Sequence, residues 1–399
     1  MVVVLLMGAS IGWVVNRART QREAVEAIRK AGGDVGYDWQ WKNGFYSPEE
    51  PAPGPAWLRE RLGDDYFGHV VRVVGISPKV DDAFMAQVGR LGRLRELRLN
   101  NTSITDAGMA HLRGLTDLRD LEISFKSNAT GAGLAYLKDL RQLRELDLSG
   151  VAVTDDGLAH LQGLTGLETL NFSSPQISDA GLAHLEALTG LRNLSLHRSQ
   201  VTGAGLGSLR GMSHLAGLNL YRTRVRGLAS IRSLTGLKAL MLRGTPIDDV
   251  GLAPIADFRG LTDLDLGETR VTGAGLSSLA DLTELTHLDL NGVKATDSDF
   301  IALSRLTKLQ NLHLNDSGIG DEGLRHLSGM GELHLLFLEG TGVTDSGLAH
   351  LAALPRCEQV AVGRTEVTDE GIASMAKVRP GMRFGRMSPP TRPGRKPGS

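Results

Sequence analysis

The chain has 399 residues, of which 41% are hydrophobic and 50 are glycine, which is enough to bury a large core. Its formal net charge of −1 at pH 7 argues against general nucleic-acid binding, because that activity needs a net basic field. The single cysteine, Cys357, excludes an intramolecular disulfide.

The first fifteen residues, MVVVLLMGASIGWVV, are uncharged and apolar, and Arg17, Arg19 and Arg22 follow them directly. A helix of this length spans about 22 Å, whereas the hydrocarbon core of a bilayer is about 30 Å thick. We predict a single N-terminal membrane anchor at residues 1–15, with the side of the membrane left open. The alternatives are a cleaved signal peptide, an anchor that begins upstream of Met1, and a soluble protein with an apolar N-terminus.

Residues 16–70 are predicted to form a juxtamembrane helix and a cap for the repeats that follow. Arg17–Ala31 has small and apolar residues on one side among charges, which indicates a short amphipathic helix ending at Gly32. The stretch that begins at Gly36, GYDWQW, alternates like a strand. Trp57–Leu62 is a candidate for covering the open edge of the first repeat.

A pattern of about 24 residues recurs over residues 71–378 and is clearest in Leu143–Gly166, LRELDLSGVAVTDDGLAHLQGLTG. Most repeats have 24 residues, and the exceptions are a 25-residue and a 22-residue unit. The Leu-x-x-Leu-x-Leu starts are Leu94, Leu118, Leu143, Leu167, Leu191, Leu215, Leu237, Leu261, Leu285, Leu309 and Leu333. A weaker unit at Val71, with Val74 and Ile76, and a degenerate unit at Cys357 bring the total to about thirteen.

Each part of the repeat has a physical role. In Leu-x-x-Leu-x-Leu the side chains alternate, so Leu146 and Leu148 are expected to face inward from a short parallel strand, while Asp147 faces out. The Thr154-Asp155 pair and its equivalents are expected to start a short helix, because Thr and Asp are good N-caps and the helix dipole favours a carboxylate there. Stacked units then share one continuous core.

The repeat pattern resembles the leucine-rich repeat family, and its Thr-x-Val-Thr-Asp-x-Gly-Leu half is most similar to bacterial and F-box-associated leucine-rich repeats. The order of segments resembles that of membrane-anchored leucine-rich repeat proteins of planctomycete-type bacteria. The resemblance implies an α/β fold, a leucine-rich repeat solenoid (horseshoe) with parallel β-strands on the concave face and short helices on the convex face. Secreted eukaryotic relatives usually cap such solenoids with disulfides, so packed side chains must cap this chain.

Residues 379–399 form a separate C-terminal segment that is basic, rich in Pro and Gly, and free of acidic residues. Such a composition cannot bury enough apolar surface to fold, so we predict a disordered tail. Contact with an anionic lipid or nucleic acid is an alternative to a plain solvated tail.

The alternation rule also predicts which side chains line the concave face. A central patch at residues 197–243 combines positive charge with an aromatic ring, as binding hot spots often do. An acidic strip beside it consists of Asp263, Asp265, Glu268 and Asp289, and opposite charges side by side suit a complementary protein surface. The residues predicted to bind a partner are Arg98, Glu122, Asp147, His197, Arg198, Tyr221, Arg222, Met241, Arg243, Asp265, Asp289, His313 and Phe337.

No catalytic motif stands out, since the chain lacks a glycine-rich phosphate loop, a nucleophile elbow, HExxH and Cys-x-x-Cys. Asp265, Asp289 and His313 follow one column, but side chains on a sheet stand roughly parallel, whereas metal ligands must converge on one point. Cys357 occupies an inward position, which predicts a buried and inert thiol. We predict no catalytic residue, no metal and no cofactor.

The sequence therefore predicts a non-enzymatic scaffold that binds another protein on the concave face and is tethered to a membrane. Neither nucleic acid nor a small-molecule substrate is expected. The alternative is an F-box-like substrate-receptor subunit of a ubiquitin ligase complex, which would need a helical adaptor-binding module ahead of the repeats. An enzyme similar to bacterial leucine-rich repeat ligases is disfavoured, because no chain outside the repeats could house a catalytic cysteine domain.

Overall fold

A computed structural model describes residues 2–42 and 45–386, with side chains from Gly12 onward except those of Lys42 and Phe45. The chain packs as two compact units, Met1–Gln200 and Val201–Ser399. In both units, each repeat contributes one short strand, followed by a short helix or 3₁₀ turn.

The first unit begins with a long helix and a cap, and the repeats follow. The cap elements are α1 (Val2–Lys30), β1 (Gly33–Tyr37), β2 (Trp41–Lys42), β3 (Phe45–Tyr46) and α2 (Ala56–Leu62). The repeat strands are β4 (Val70–Ile76), β5 (Glu96–Asn100), β6 (Asp120–Ser124), β7 (Glu145–Leu148), β8 (Thr169–Ser173) and β9 (Asn193–His197). The repeat helices are α3 (Asp82–Val88), α4 (Asp106–Met109), α5 (Asp155–Leu158) and α6 (Asp179–Ala183), with a 3₁₀ helix at Gly131–Tyr136.

The second unit consists of repeats. Its strands are β10 (Gly217–Asn219), β11 (Ala239–Met241), β12 (Asp263–Asp265), β13 (His287–Asp289), β14 (Asn311–His313), β15 (Leu335–Phe337), β16 (Gln359–Ala361) and β17 (Arg383–Gly385). Its helices are α7 (Asp249–Leu252), α8 (Gly273–Leu276), α9 (Asp321–Arg325), α10 (Asp345–Leu351) and α11 (Asp369–Val378). Other repeats have 3₁₀ helices, at Gly205–Leu209, Ala229–Ile231 and Asp297–Leu303.

Neighbouring repeat strands within each unit are parallel and pair in register. Leu97 lies beside Leu121 in the first unit, and Leu264 lies beside Leu288 in the second. These leucines are buried, as the alternation predicts. Burying one leucine contributes about 1.5–3 kcal/mol, so a ladder of leucines is the main source of stability. The side of the strands that faces away from the leucines is called the sheet face below.

The first repeat is shifted by one residue from its predicted start. Val73 pairs with Leu97, and Gly75 pairs with Leu99, so the repeat begins at Val70 rather than Val71. Val73 is buried, whereas Ile76 is 65% exposed on the sheet face. A shift of one residue moves every side chain of a strand to the other side of the sheet. The predicted phase was wrong because the run VVRVVGI has no clear alternation.

The predicted membrane localisation is also wrong. The predicted anchor is the first part of α1, which continues unbroken to Lys30. Within residues 2–42 and 45–386, no helix is long and apolar enough to cross a bilayer. The physical reason is that charged residues begin at Arg17, and the second half of α1 packs against protein, with Ala24 and Ile28 fully buried.

The cap closes the edge of the first repeat strand. Strand β1 pairs antiparallel with β4, which satisfies the hydrogen-bonding groups that an open edge would expose. The buried carboxylate of Asp65 holds the cap together, since it accepts hydrogen bonds from Gln21 Nε2 and Tyr37 Oη, each at 3.0 Å. The segment that covers the edge is therefore β1, whereas Trp57 in α2 is 63% exposed.

The last strand, β17, lies inside the segment for which the sequence predicts a disordered tail. Phe384 in β17 pairs with Val360 in β16, which is the register of the other repeats. Arg379 fixes the turn before β17, because its guanidinium donates to the carbonyls of Leu354 and Pro355. Residues 387–399 of the predicted tail lie outside the described residues.

A hydrogen-bonded contact, called the clasp below, joins the helix start of one repeat to that of the next. In the clasp of Asp321, Oδ1 accepts from the backbone N of Thr344 at 2.8 Å, and Oδ2 accepts from Thr344 Oγ1 at 2.7 Å. Thr344 Oγ1 in turn accepts from Ser346 N and so caps α10. A Cβ on Gly347 would overlap the Asp321 carboxylate, so this position needs glycine.

The clasp recurs along the chain and explains the Thr-Asp-x-Gly motif. Threonine caps its own helix, aspartate holds the next threonine, and glycine makes room for the previous aspartate. At the last clasp, the hydrogen bonds from Thr368 hold the pKa of the Asp345 carboxyl below its usual value. The equivalent pairs are Asp82–Thr105, Asp106–Thr130, Asp155–Ser178, Asp249–Thr272 and Asp345–Thr368.

The 22-residue repeat replaces the clasp with direct backbone packing. It has Arg226 at the threonine position and Gly227 at the aspartate position. A Cβ on Gly251 in the next repeat would overlap the carbonyl oxygen of Arg226 and lie 3.0 Å from Gly227 Cα. The carbonyl of Gly251 accepts a hydrogen bond from Leu228 N at 3.0 Å. Because Gly227 and Gly251 have no side chains, the backbones of these two neighbouring repeats approach each other closely.

Candidate functional site

On the sheet face of the first unit, Arg98 is surrounded by carboxylates. Its guanidinium lies 2.8 Å from Glu96, 3.1 Å from Asp120 and 4.0 Å from Glu122. Burial raises the pKa of Asp120, and Arg98 opposes that rise. The predicted residues Arg98 and Glu122 therefore belong to one charge cluster with an acidic excess.

The other predicted residues of the first unit lie on later strands or directly after them. Asp147 Oδ1 accepts from the backbone N of Ser149 at 2.8 Å, which holds its carboxylate close to the strand. His197 ends β9. Arg198 follows in the left-handed backbone region with φ 59°, so its side chain leaves the strand at the turn.

On the sheet face of the second unit, Arg243 joins three acidic residues from the next two repeats. Its Nε lies 3.0 Å from Asp265 Oδ2, and its Nη1 lies 3.3 Å from Glu268 Oε1. Its Nη2 contacts Asp289 Oδ2. One predicted basic residue and three residues of the predicted acidic strip are thus a single network, in which three carboxylates surround one guanidinium. The fourth residue of the strip, Asp263, lies 3.1 Å from His287 Nδ1 instead.

Gly267 provides the space in which Arg243 lies. A Cβ on Gly267 would be 2.6 Å from Arg243 Cζ, so any larger residue would displace the guanidinium. Burial raises the pKa of Asp265, and repulsion by Asp289 raises it further, whereas Arg243 lowers it. The network is therefore held by one cation whose position depends on a glycine.

We expect Arg243→Ala to lower the free energy of unfolding by about 1–3 kcal/mol at pH 7, because half-buried carboxylates lose their cation. Without Arg243 the pKa of Asp265 rises further, so protonation removes the repulsion as the pH falls through that pKa. The loss of unfolding free energy in Arg243→Ala should therefore be smaller at pH 4 than at pH 7. Urea unfolding of the wild-type protein and the Arg243→Ala variant at pH 7 and pH 4 measures this difference.

Arg305→Ala is the matched control, since Arg305 forms one exposed pair with Asp281 at 2.8 Å. Such a pair contributes at most about 1 kcal/mol. A loss for Arg243→Ala that is equal at both pH values would contradict the repulsion argument.

Next to the acidic strip, the sheet face becomes apolar. The rings of His313 and Phe337 stack with their centroids 4.2 Å apart. Burial lowers the pKa of His313, although Asp289 opposes this, so the ring is neutral at pH 7. Beyond Phe337 lies a shallow pocket of about 380 Å³, lined also by Ala361 and Phe384. This apolar end can accept a hydrophobic side chain.

Three further predicted residues, Tyr221, Arg222 and Met241, lie at the start of the second unit. Met241 is half-buried in β11 and pairs with Asp265 of β12. The guanidinium of Arg222 lies over the Tyr221 ring, with Cζ 5.1 Å from the centroid. Arg222 has φ 53°, and a Cβ on Gly244 would lie 2.9 Å from Arg222 Cγ, so Arg222 also lies over a glycine of the next repeat.

The structure adds residues that the prediction missed. Glu96 and Asp120 complete the Arg98 cluster because the position two residues after each repeat start also faces outward. The alternation of side chains along a strand could have identified both residues, because every second residue faces the same side. The prediction also missed three residues whose roles depend on a neighbouring repeat. Gly267 makes room for the Arg243 side chain of the previous repeat, and Ala361 and Phe384 line the pocket beside Phe337.

The column of Asp265, Asp289 and His313 is organised by Arg243. His313 Nδ1 lies 3.8 Å from Asp289 Oδ2, the same oxygen that Arg243 contacts. Among the residues that the structure describes, no group of three or more His, Cys, Asp or Glu could hold a metal ion. Cys357 is buried as predicted, and burial raises the pKa of its thiol to about 11, so the thiol is protonated at pH 7.

Comparison with known proteins agrees with this architecture. A family profile described as Leucine Rich repeat matches residues 305–328. An internalin from Listeria monocytogenes is similar in structure, with a TM-score of 0.54 and 23% identity over 81% of this chain and 87% of that chain. A leucine-rich repeat protein from Leptospira interrogans has a TM-score of 0.58 and 18% identity over 75% of this chain and 74% of that chain. No curated protein matches in sequence.

Stacked parallel strands, a leucine ladder and short helices at 24-residue spacing define the class. The fold is an α/β leucine-rich repeat solenoid, as the resemblance implied.

Proposed function

We propose that the protein is a non-enzymatic scaffold that binds another protein on the sheet face of its second unit. The contact residues are Tyr221, Met241, Arg243, Asp265, Asp289, His313 and Phe337. The observation that carries the proposal is the arrangement of the Arg243 network, which places fixed charges beside the apolar end at Phe337. Binding sites that combine a desolvated aromatic anchor with oriented charges are typical of protein interfaces.

Preorganisation supports this use of the sheet face. Arg243 is held by three carboxylates and lies over Gly267, so little side-chain entropy remains to be lost on binding. The three carboxylates around it give this surface an acidic excess that a basic partner group can match. Residues Arg98, Glu122, Asp147, His197 and Arg198 on the first unit are proposed as additional contacts.

The F-box-like alternative has no comparable support. Such a receptor would need a separate helical module ahead of the repeats. In the part of the chain that the structure describes, α1 packs on α3, the helix of the first repeat, and β1 extends the sheet of that repeat.

A pull-down with the full chain tests the proposal. Tyr221→Ala combined with Phe337→Ala removes two anchors from the sheet face, and each truncated anchor should cost about 2 kcal/mol or more of binding. The matched control is Val250→Ala combined with Ile301→Ala, because these two side chains are 85% and 59% exposed on the helical side. We expect partner recovery to fall at least about tenfold for the first variant only. Equal recovery with both variants would refute the proposed face.

A further inference from the structure

Three arginines are exposed in the turn of the 22-residue repeat. Arg222, Arg224 and Arg226 are exposed, whereas Thr223 and Val225 between them are buried. Alternate burial indicates that the three arginines lie on one side of the segment. Alternate residues of an extended chain lie about 6.6 Å apart, which is the spacing expected for Arg224 and Arg226, whereas Arg222 lies in the turn with φ 53°. The three residues are called the basic edge below.

The backbone of the basic edge is fixed. Thr223 Oγ1 donates to the carbonyl of Leu220 at 2.8 Å, and Arg224 N donates to the carbonyl of Val201 at 3.0 Å. At its end, the carbonyl of Arg226 is packed against Gly251. The three arginines therefore project from a fixed backbone.

The charges of the basic edge are not neutralised by the described residues. In the part of the chain that the structure describes, none of the three guanidinium groups forms an ion pair, whereas Arg232 and Arg243 in the same unit do. Residues 201–247 contain six arginines and one lysine but no Asp or Glu. The repeat has also lost its clasp, so Arg226 stands where other repeats place a helix-capping threonine. This surface is available to an anion.

We propose that the basic edge binds an extended acidic segment of a partner protein, with carboxylates at alternate positions opposite Arg222, Arg224 and Arg226. The proposal rests on the scaffold function, and it assigns part of the partner's chemistry. The carboxylate spacing of an extended peptide matches the spacing expected for Arg224 and Arg226. Arg222 is further oriented by its stacking on Tyr221.

An acidic polypeptide fits better than a nucleic acid. The acidic strip in the same unit, with Asp265 and Asp289 on its strands, would repel a phosphate backbone that continued across the sheet face. A peptide segment can be acidic for a few residues and then carry basic or apolar side chains suited to the acidic strip and the apolar end.

Fluorescence anisotropy with the full chain tests this assignment. The probe is a fluorescein-labelled twelve-residue peptide of alternating Glu and Thr, at low ionic strength. Arg224→Glu combined with Arg226→Glu should raise the Kd at least about tenfold, because like charges repel. The matched control, Arg141→Glu with Arg259→Glu, makes the same charge change at two exposed arginines and should alter the Kd less than about twofold. Arg224→Gln with Arg226→Gln provides a second variant without charge reversal.

Each other outcome overturns the proposal. Equal weakening by both Glu variants would show that only the overall charge matters, and a wild-type protein that does not bind the probe would exclude this occupant. Tighter binding of a twelve-nucleotide oligo-dT through the same arginines would assign the edge to nucleic acid. If the Arg224→Glu, Arg226→Glu variant lost probe binding but recovered the partner fully in the pull-down, the basic edge would not bind that partner, and this proposal would fail while the proposed scaffold function stood.

Discussion

Gly251→Ala is expected to lower the free energy of unfolding by about 3 kcal/mol, the upper part of the range for overpacking. The added methyl group would overlap the carbonyl oxygen of Arg226, which is a main-chain atom. No side-chain rotation can relieve that overlap, so one of the two backbones must move. Urea unfolding followed by far-UV circular dichroism measures the loss.

Gly207→Ala is the control for this substitution. Nothing lies within 4 Å of a Cβ at Gly207, and the residue is in a 3₁₀ helix. The free energy of unfolding of the Gly207→Ala variant should change by less than about 1 kcal/mol. That is the size of the intrinsic difference between Gly and Ala in a helix. Similar losses for both variants would mean that the backbone contact at Gly251 does not matter.

The second large effect is expected at the clasp of Asp321. Asp321→Ala removes the two oxygens that accept hydrogen bonds from Thr344, so it should lower the free energy of unfolding by about 2 kcal/mol. Gly347→Ala pushes the same carboxylate out of its place and should cost a similar amount. In the Asp321→Ala background, however, Gly347→Ala has no carboxylate to displace. Its cost should then fall below about 1 kcal/mol, and a double-mutant cycle by urea unfolding measures this coupling.

Additivity of the two substitutions would contradict the clasp. Independent sites add within about 0.5 kcal/mol, so a coupling inside that limit would show that Gly347 and Asp321 do not share one contact.

The repeat length, the inward leucines and the fold class could be predicted because they recur in the sequence. Eleven clear copies of one pattern define which side of each strand is buried. The first repeat was misplaced by one residue because its valines gave no alternation. The membrane anchor was predicted from an apolar stretch alone, although the structure shows that the stretch continues into a helix packed on the cap.

The candidate site was only partly accessible to the same reasoning. Alternation identified Arg243, Asp265 and Asp289 as outward-facing, but it could not show that one guanidinium bridges the two carboxylates. That contact depends on Gly267, and a glycine among polar residues has no distinctive pattern. The basic edge was missed for a different reason, because Arg224 and Arg226 lie after strand β10, beyond the positions that the repeat pattern assigns to the sheet face.

The clasp has a consequence for how such a chain can evolve. Every repeat that carries it presents an aspartate toward its successor and a threonine with a glycine toward its predecessor. A duplicated repeat would therefore fit between its parents without any compensating mutation, and a deleted one would leave matching ends. Array length can change freely wherever this self-complementary junction is present, whereas the 22-residue repeat, which lacks it, is not interchangeable with its neighbours.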